Sequence, residues 1–207
     1  MTKLAGIDYS LTSPAICVWK QNVDRLFDFH SCDLYYLETA QRFKRPETGI
    51  LNLHPEPYPE WETEEERHDL LSDWAMSCIQ GCEVYIEGYA FATSGKSHER
   101  SVAENTGLLK HKMYKSNQSF TSVPPTVIKK YATERGNANK ELMLSNFITR
   151  TGIDIQDVMD HTGDNPISDI VDSYFVLEYG INNPEEIDCP IILDILNENN
   201  FCIPSTN

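Results

Sequence analysis

The sequence predicts an α/β fold in which a mixed central β-sheet is flanked by α-helices, and three observations predict it. Two short apolar runs near the start, Leu4-Ala5-Gly6-Ile7-Asp8 and Ala15-Ile16-Cys17-Val18-Trp19, are joined by Ser10-Leu11-Thr12-Ser13-Pro14, which is turn chemistry. This is an antiparallel hairpin whose first strand ends on a carboxylate. Further along, short apolar strands alternate with segments of helical period, the pattern of strands connected through helices. A length of 207 residues with 40% hydrophobic and 24% charged residues suits one soluble core.

Taken in order, Phe27 to Leu37 reads as a third strand with polar interruptions, and Lys44 to Trp61, with Pro46, Pro55, Pro57 and Pro59, as a surface connection. Thr63 with Glu66 forms a capping-box pattern, after which Leu70, Leu71, Trp74, Ala75, Cys78 and Ile79 recur at helical spacing up to Gly81. Glu83-Val84-Tyr85-Ile86-Glu87 is a compact strand that ends on an acid and is released by Gly88. Ser101 to Tyr114 reads as a helix, and Phe120-Thr121-Ser122-Val123 as a strand closed by Pro124-Pro125. Helices follow over Thr126 to Thr133 and Glu141 to Thr149, separated by a loop with Gly136, Asn137 and Asn139. Asp164-Asn165-Pro166 opens a last helix through Asp169 to Tyr179. The expected organisation is one domain over residues 1–181 and an acidic tail over 182–207, with a short helix through Ile191 to Leu196.

The composition excludes several classes. No run approaches the roughly 20 apolar residues that cross a bilayer, and the start lacks a secretory leader, so a cytoplasmic protein without a membrane partner is expected. The six cysteines are scattered, and free thiols are expected. Cys78 and Cys82, at i and i+4, share a helix face if the helix continues that far, but no second pair completes a zinc site. A net charge of −15 opposes indiscriminate binding of polyanions. The charge is unevenly divided. Between Gly88 and Arg150 stand 10 Lys or Arg against 4 acids, a net of +6, while the rest of the chain carries −21. A basic face beside an acidic site is the expectation.

The acids are placed where a metal site needs them. Mg²⁺ is a hard octahedral ion that takes carboxylate oxygens while keeping positions for water and phosphate. Two such ions about 4 Å apart activate an attacking water and stabilise the leaving oxygen of a phosphodiester. Asp8 and Glu87 each end an apolar strand, and Asp169 and Asp172 lie three apart in the first turns of a helix, hence on one face. Asp154, Asp157 and Asp160 read instead as caps and a solvated acidic face.

These residues resemble a known family. Gly6-Ile7-Asp8, Val84-Tyr85-Ile86-Glu87, Val123-Pro124-Pro125 with Val127-Ile128-Lys129-Lys130, Gly136 with Lys140, and Asp169-Ile170-Val171-Asp172 are similar, in order and approximate spacing, to the RuvC-type Holliday junction resolvases. The run Asp8-Tyr9-Ser10-Leu11-Thr12-Ser13 looks like the phage-encoded branch, whereas cellular members commonly have Pro-Gly after the first Asp. The resemblance covers about residues 3 to 180, with an enlargement between the first two acids. It implies a ribonuclease H-like fold, two Mg²⁺ ions that Mn²⁺ can replace, and a homodimer that makes paired nicks in branched DNA, a four-way junction.

Carried over residue by residue, the resemblance makes Asp8, Glu87, Asp169 and Asp172 metal ligands. Lys140 becomes the basic residue near the scissile phosphate, where an ammonium offsets developing negative charge. Lys129 and Lys130 become backbone contacts, and Tyr89 and Phe91 candidates for stacking on an unpaired junction base. Two alternatives share parts of the pattern. One is another ribonuclease H-like nuclease, acting on RNA–DNA hybrids or on flaps. The other is an actin-like sugar kinase or ATPase, which also begins with Gly-x-Asp but needs Gly-rich phosphate loops that the 10 glycines do not form.

Overall fold

A computed structural model describes residues 3–20, 26–39, 51–88 and 97–183. The predicted hairpin forms as β1 (Lys3–Asp8) and β2 (Ala15–Lys20), antiparallel, with Asp8 opposite Ala15. A short 3₁₀ turn, Phe29–Ser31, capped by the Asp28 carboxylate, then leads into β3 (Cys32–Glu38), antiparallel to β2. The third strand thus begins five residues later than the apolar content suggests, because Asp28 gives the backbone a competing hydrogen bond.

The Pro-rich connection is corrected more substantially. Within it, Asn52–Pro57 forms β4, parallel to β3, with Leu51 and Leu53 buried. Pro55 and Pro57 are compatible with this because β4 is an edge strand, so neither removes a ladder bond that a second neighbour needs.

Helix α1 (Glu64–Cys78) starts where the capping box places it, with the Thr63 hydroxyl accepting from the Glu66 amide at 3.2 Å. The Glu66 carboxylate accepts from Glu62 N at 2.8 Å, one residue outside the usual reciprocal bond. Then follow β5 (Cys82–Glu87), α2 (Ser97–Lys115), β6 (Phe120–Val123) and α3 (Pro125–Thr133). The chain continues through α4 (Lys140–Thr151), α5 (Ile155–Met159) and α6 (Ile167–Asn182). Asp154 caps α5 and Asp160 closes it, as expected of that acidic run. Cys78 ends α1 and Cys82 begins β5, so the expectation that they share a helix face fails; both are free thiols, as are Cys17 and Cys32. The helix expected over 191–196 lies outside the described residues.

The six strands form one sheet in the order β4-β3-β2-β1-β5-β6, with β1, β5 and β6 parallel. Side chains alternate across it. Ala5, Ile7, Ile16, Val18, Val84 and Ile86 face a core that includes Leu71 and Ala75 of α1 and Leu109 and Met113 of α2. Leu4, Cys17, Trp19, Leu34 and Tyr85 face the opposite core, with Ile128 of α3, Phe147 of α4 and Phe175 of α6. Two covered faces make the central strands apolar on both sides, which is why β1 and β5 read as nearly continuous apolar runs.

Helix α6 comes unusually close to the sheet. A Cβ built on Gly6 falls 2.4 Å from both Leu177 N and Ser173 O, so only glycine lets the helix cross β1 at this separation. Among the described residues no helix is long and apolar enough to cross a membrane.

Candidate active site

Alternation fixes the direction of the first two acids. Gly6 and Asp8 share the face of β1 that α6 crosses, and Tyr85 and Glu87 share the same face of β5. The parallel register pairs Ile7 with Ile86, so Asp8 and Glu87 end adjacent strands side by side. The register over Gly6 then brings the N-terminal turns of α6, with Asp169 and Asp172, to the same end of the sheet. Four acids separated by up to 164 positions in the chain become neighbours.

Their electrostatics reflect the crowding. Burial, then repulsion from Asp169, Glu87 and Asp172, holds the Asp8 carboxyl well above the usual carboxylate range, with hydrogen bonding to Asp169 a smaller contribution in the same direction. Burial and the Asp172 charge push Glu87 up to about 8, opposed by Lys129. Burial and Asp169 push Asp172 up to about 7, opposed by Lys129 and Lys140. Asp169 is raised by burial, against the effect of hydrogen bonds from Ser13 and Ser10 and the charge of Lys140. The Ser13 hydroxyl donates to Asp169 Oδ2 at 2.7 Å, and both groups are buried.

Among the described residues no three His, Cys, Asp or Glu side chains are placed so that they could hold one metal ion. The donor types nevertheless suit a hard divalent cation, since they are carboxylates, buried at Asp169 and partly buried at Asp8, Glu87 and Asp172, whose proximity disfavours their charged forms. An open cleft of about 210 Å³ lies against Asp8, Glu87, the Tyr9–Thr12 turn and, from α2, Val102 and Thr106. A second cleft, between α4 and α6, is bounded by Lys140 and Asp172.

The crowding has a measurable consequence for the cation-free protein. A carboxyl whose folded pKa exceeds its unfolded value binds more protons when folded, so stability is lost as pH rises from the unfolded value through the folded one. For Asp172 and Glu87 that window runs from about 4 to about 8. In a chelator the Tm is expected to fall by roughly 3–8 °C between pH 5 and pH 8.5, and Asp172→Asn to flatten the fall. Millimolar Mg²⁺ should raise the Tm far more at pH 8.5 than at pH 5. Equal increments at the two pH values would contradict a cation site built on these acids.

The lysines divide. Lys129, half-buried on α3, acts on both Glu87 and Asp172, whereas its neighbour Lys130 is exposed and neither Glu87 nor Asp172 responds to it. Lys140, exposed at the first position of α4, acts on Asp169 and Asp172 and pairs with Asp164 at 3.5 Å. Tyr89 and Phe91 lie outside the described residues. The expected basic face is only partly realised. Lys112 Nζ is held by Asp69 and Asp73 at 2.7 and 2.5 Å. The Arg150 guanidinium pairs with Glu178 at 2.5 Å and lies over the rings of Tyr131 and Phe175. Those two cations serve packing between helices.

Ser10 and Ser13, as partners of Asp169, are not among the site residues that the sequence suggests. A turn with Ser10, Thr12 and Ser13 just after an acid that ends an apolar strand is the available signal, but the Asp169 partner lies 156 positions from Ser13.

A mixed sheet with an antiparallel hairpin feeding parallel strands, helices on both faces, and acids at the ends of β1, β5 and the start of α6 defines a ribonuclease H-like fold. Among solved structures, Thermus thermophilus RuvC superimposes with a TM-score of 0.54 at 13% identity, over 88% of this chain and 97% of that one. Thermus thermophilus RuvC in complex with a Holliday junction substrate matches to the same extent. The fold is therefore the one seen in Thermus thermophilus RuvC. No protein-family model and no curated protein matches the sequence.

Proposed function

We propose that this chain is a divalent-metal-dependent endonuclease of branched DNA that resolves four-way junctions as a homodimer. The observation that carries the reading is the convergence of Asp8, Glu87, Asp169 and Asp172 in a fold shared with a protein solved on a Holliday junction substrate. Asp8 and Glu87 from the sheet, with Asp169 and Asp172 from α6, would hold two Mg²⁺ ions, or Mn²⁺ in their place. When bound, such ions supply Lewis acidity toward a phosphodiester and lower the pKa of water.

The chain's own groups do the rest. Ser10 and Ser13 hydrogen-bond Asp169 and so restrict its orientation. Lys129 and Lys140 put positive charge beside the carboxylates, where it offsets charge accumulating on a phosphate. With 32 acidic residues against 17 basic ones, affinity for DNA is concentrated on this side and falls steeply with salt. Hydrolysis leaves a 5′ phosphate and a 3′ hydroxyl.

A synthetic mobile four-way junction tests the reading against its alternatives. In Mg²⁺, symmetric nicks that a ligase can reseal are expected. Faster cutting of a flap or of an RNA–DNA hybrid would transfer the assignment to those substrates. Absence of cleavage on all three in both Mg²⁺ and Mn²⁺ would sink it.

A further inference from the structure

The loop between β1 and β2 carries Ser10 and Ser13, and it is fastened from two sides. On one side it meets α6: Ser13 donates to Asp169, and the Thr12 hydroxyl accepts from the Asn165 side chain at 3.3 Å. On the other it meets the segment between β4 and α1. The Leu11 carbonyl accepts from the Tyr58 hydroxyl at 2.5 Å and from Arg67 Nη2 at 2.7 Å. Arg67 Nε donates to the same Tyr58 oxygen at 2.9 Å, so one guanidinium, one phenol and one carbonyl close a ring of three bonds.

That ring is itself held rigidly. The Arg67 side chain is 15% exposed, lies 4.7 Å over the Trp61 ring and reaches Glu64 through Nη1 at 3.3 Å. Trp61 stands edge-on to Tyr58 at 5.4 Å, and Tyr58 N donates to Glu38 O at 2.7 Å, which anchors the segment to the end of β3. Within the loop, Ser13 N donates to Ser10 Oγ at 3.1 Å, so the Leu11 carbonyl sits inside the turn that presents both serines.

We propose that Arg67, with Tyr58, is a positioning residue for the carboxylate site, holding the Leu11 carbonyl so that Ser10 and Ser13 keep Asp169 in place. The inference rests on the metal-site reading above. It also accounts for the Pro-rich connection, in which β4 delivers Tyr58 and Trp61 clamps Arg67. Of the two donors on Leu11, only the guanidinium also orients the other, which makes Arg67 the controlling member. Outer partners of this kind commonly affect metal affinity by about 10–100-fold.

Calorimetric titration of the full chain with Mn²⁺ tests this without depending on turnover. Arg67→Met keeps the stem on Trp61 and is expected to weaken Mn²⁺ binding about 10-fold, with Arg67→Lys recovering part of the loss. Ser13→Ala should weaken it similarly, and the double variant should bind within about 2-fold of the weaker single variant, because both changes act through one contact. At saturating Mg²⁺ the cleavage kcat should fall while KM for DNA holds. A lowered Tm with wild-type Mn²⁺ affinity would reduce Arg67 to a structural role, and multiplicative losses in the double variant would disconnect it from Ser13; either overturns the inference alone. A wild-type chain that binds no Mn²⁺ overturns the inference together with the reading it rests on.

Discussion

Asp8→Asn is expected to lower cleavage of a four-way junction by about 1000-fold or more while leaving junction binding in Ca²⁺ within about 2-fold of wild type. Position is the cause. Asp8 is the acid on which the fields of the other three converge. An amide of the same shape cannot donate a second anionic oxygen to a divalent ion, and losing several kcal/mol of charge stabilisation at the reacting phosphate corresponds to such a factor. On the proposed reading binding is spared because the DNA would be held by cations such as Lys129 and Lys140 rather than by the acids. The same substitution removes a partly buried group that the neighbouring acids repel when it is charged, so at pH 8.5 in a chelator the variant should melt roughly 2–8 °C above wild type. Asp172→Asn should behave alike. Full activity in either variant would remove the four-carboxylate assignment, and a fall in Tm would contradict the repulsion on which it rests.

Gly6→Ala carries the second large effect, and it acts through the backbone. Its Cβ would stand 2.4 Å from two main-chain atoms of α6 and 2.6 Å from Leu177 Cβ, so the helix must retreat by about 1 Å to reach ordinary contact. Overpacking a dense core costs about 1–3 kcal/mol, and more where backbone rather than a flexible side chain is displaced. A loss of about 3 kcal/mol lowers the Tm by roughly 6–12 °C in a domain of this size. Asp169 and Asp172 ride on α6 whereas Asp8 lies two residues beyond Gly6, so the retreat also separates the two halves of the site. A 1 Å misplacement of reacting groups costs about 100-fold in rate. The control is Gly107→Ala, on the exposed side of α2, where a Cβ meets nothing within 4 Å. It should stabilise by about 0.5–1 kcal/mol through helix propensity. Activity retained in Gly6→Ala at a temperature where it stays folded would show that α6 need not cross β1 this closely.

Local chemistry makes much of the architecture legible. The hairpin at residues 4–19, the Thr63 cap, the strands ending at Glu87 and Val123 and the last three long helices all announce themselves through alternation, helical period or a capping pair, because each depends on residues only a few positions apart. The Pro-rich stretch does not read as a strand because a proline in a strand is penalised unless the strand lies at an edge, and edge position is a property of the whole sheet. The charge division exaggerates the basic face for a similar reason: Lys112 and Arg150 find their partners on other helices, Asp69 and Asp73 on α1 and Glu178 on α6.

By itself, the sequence determined the α/β class, the strand and helix ends on which Asp8, Glu87, Asp169 and Asp172 sit, and the lysines that lie between them in the chain. Only the tertiary structure decided that those four acids come within electrostatic reach of one another, that Lys129 rather than Lys130 acts on Glu87 and Asp172, and that Ser10, Ser13 and Arg67 form a chain of contacts leading to Asp169. The physical reason is range. Propensities and caps act over one or two helical turns, whereas repulsion between carboxylates and the fit of a helix over Gly6 exist only after the sheet has brought distant residues together.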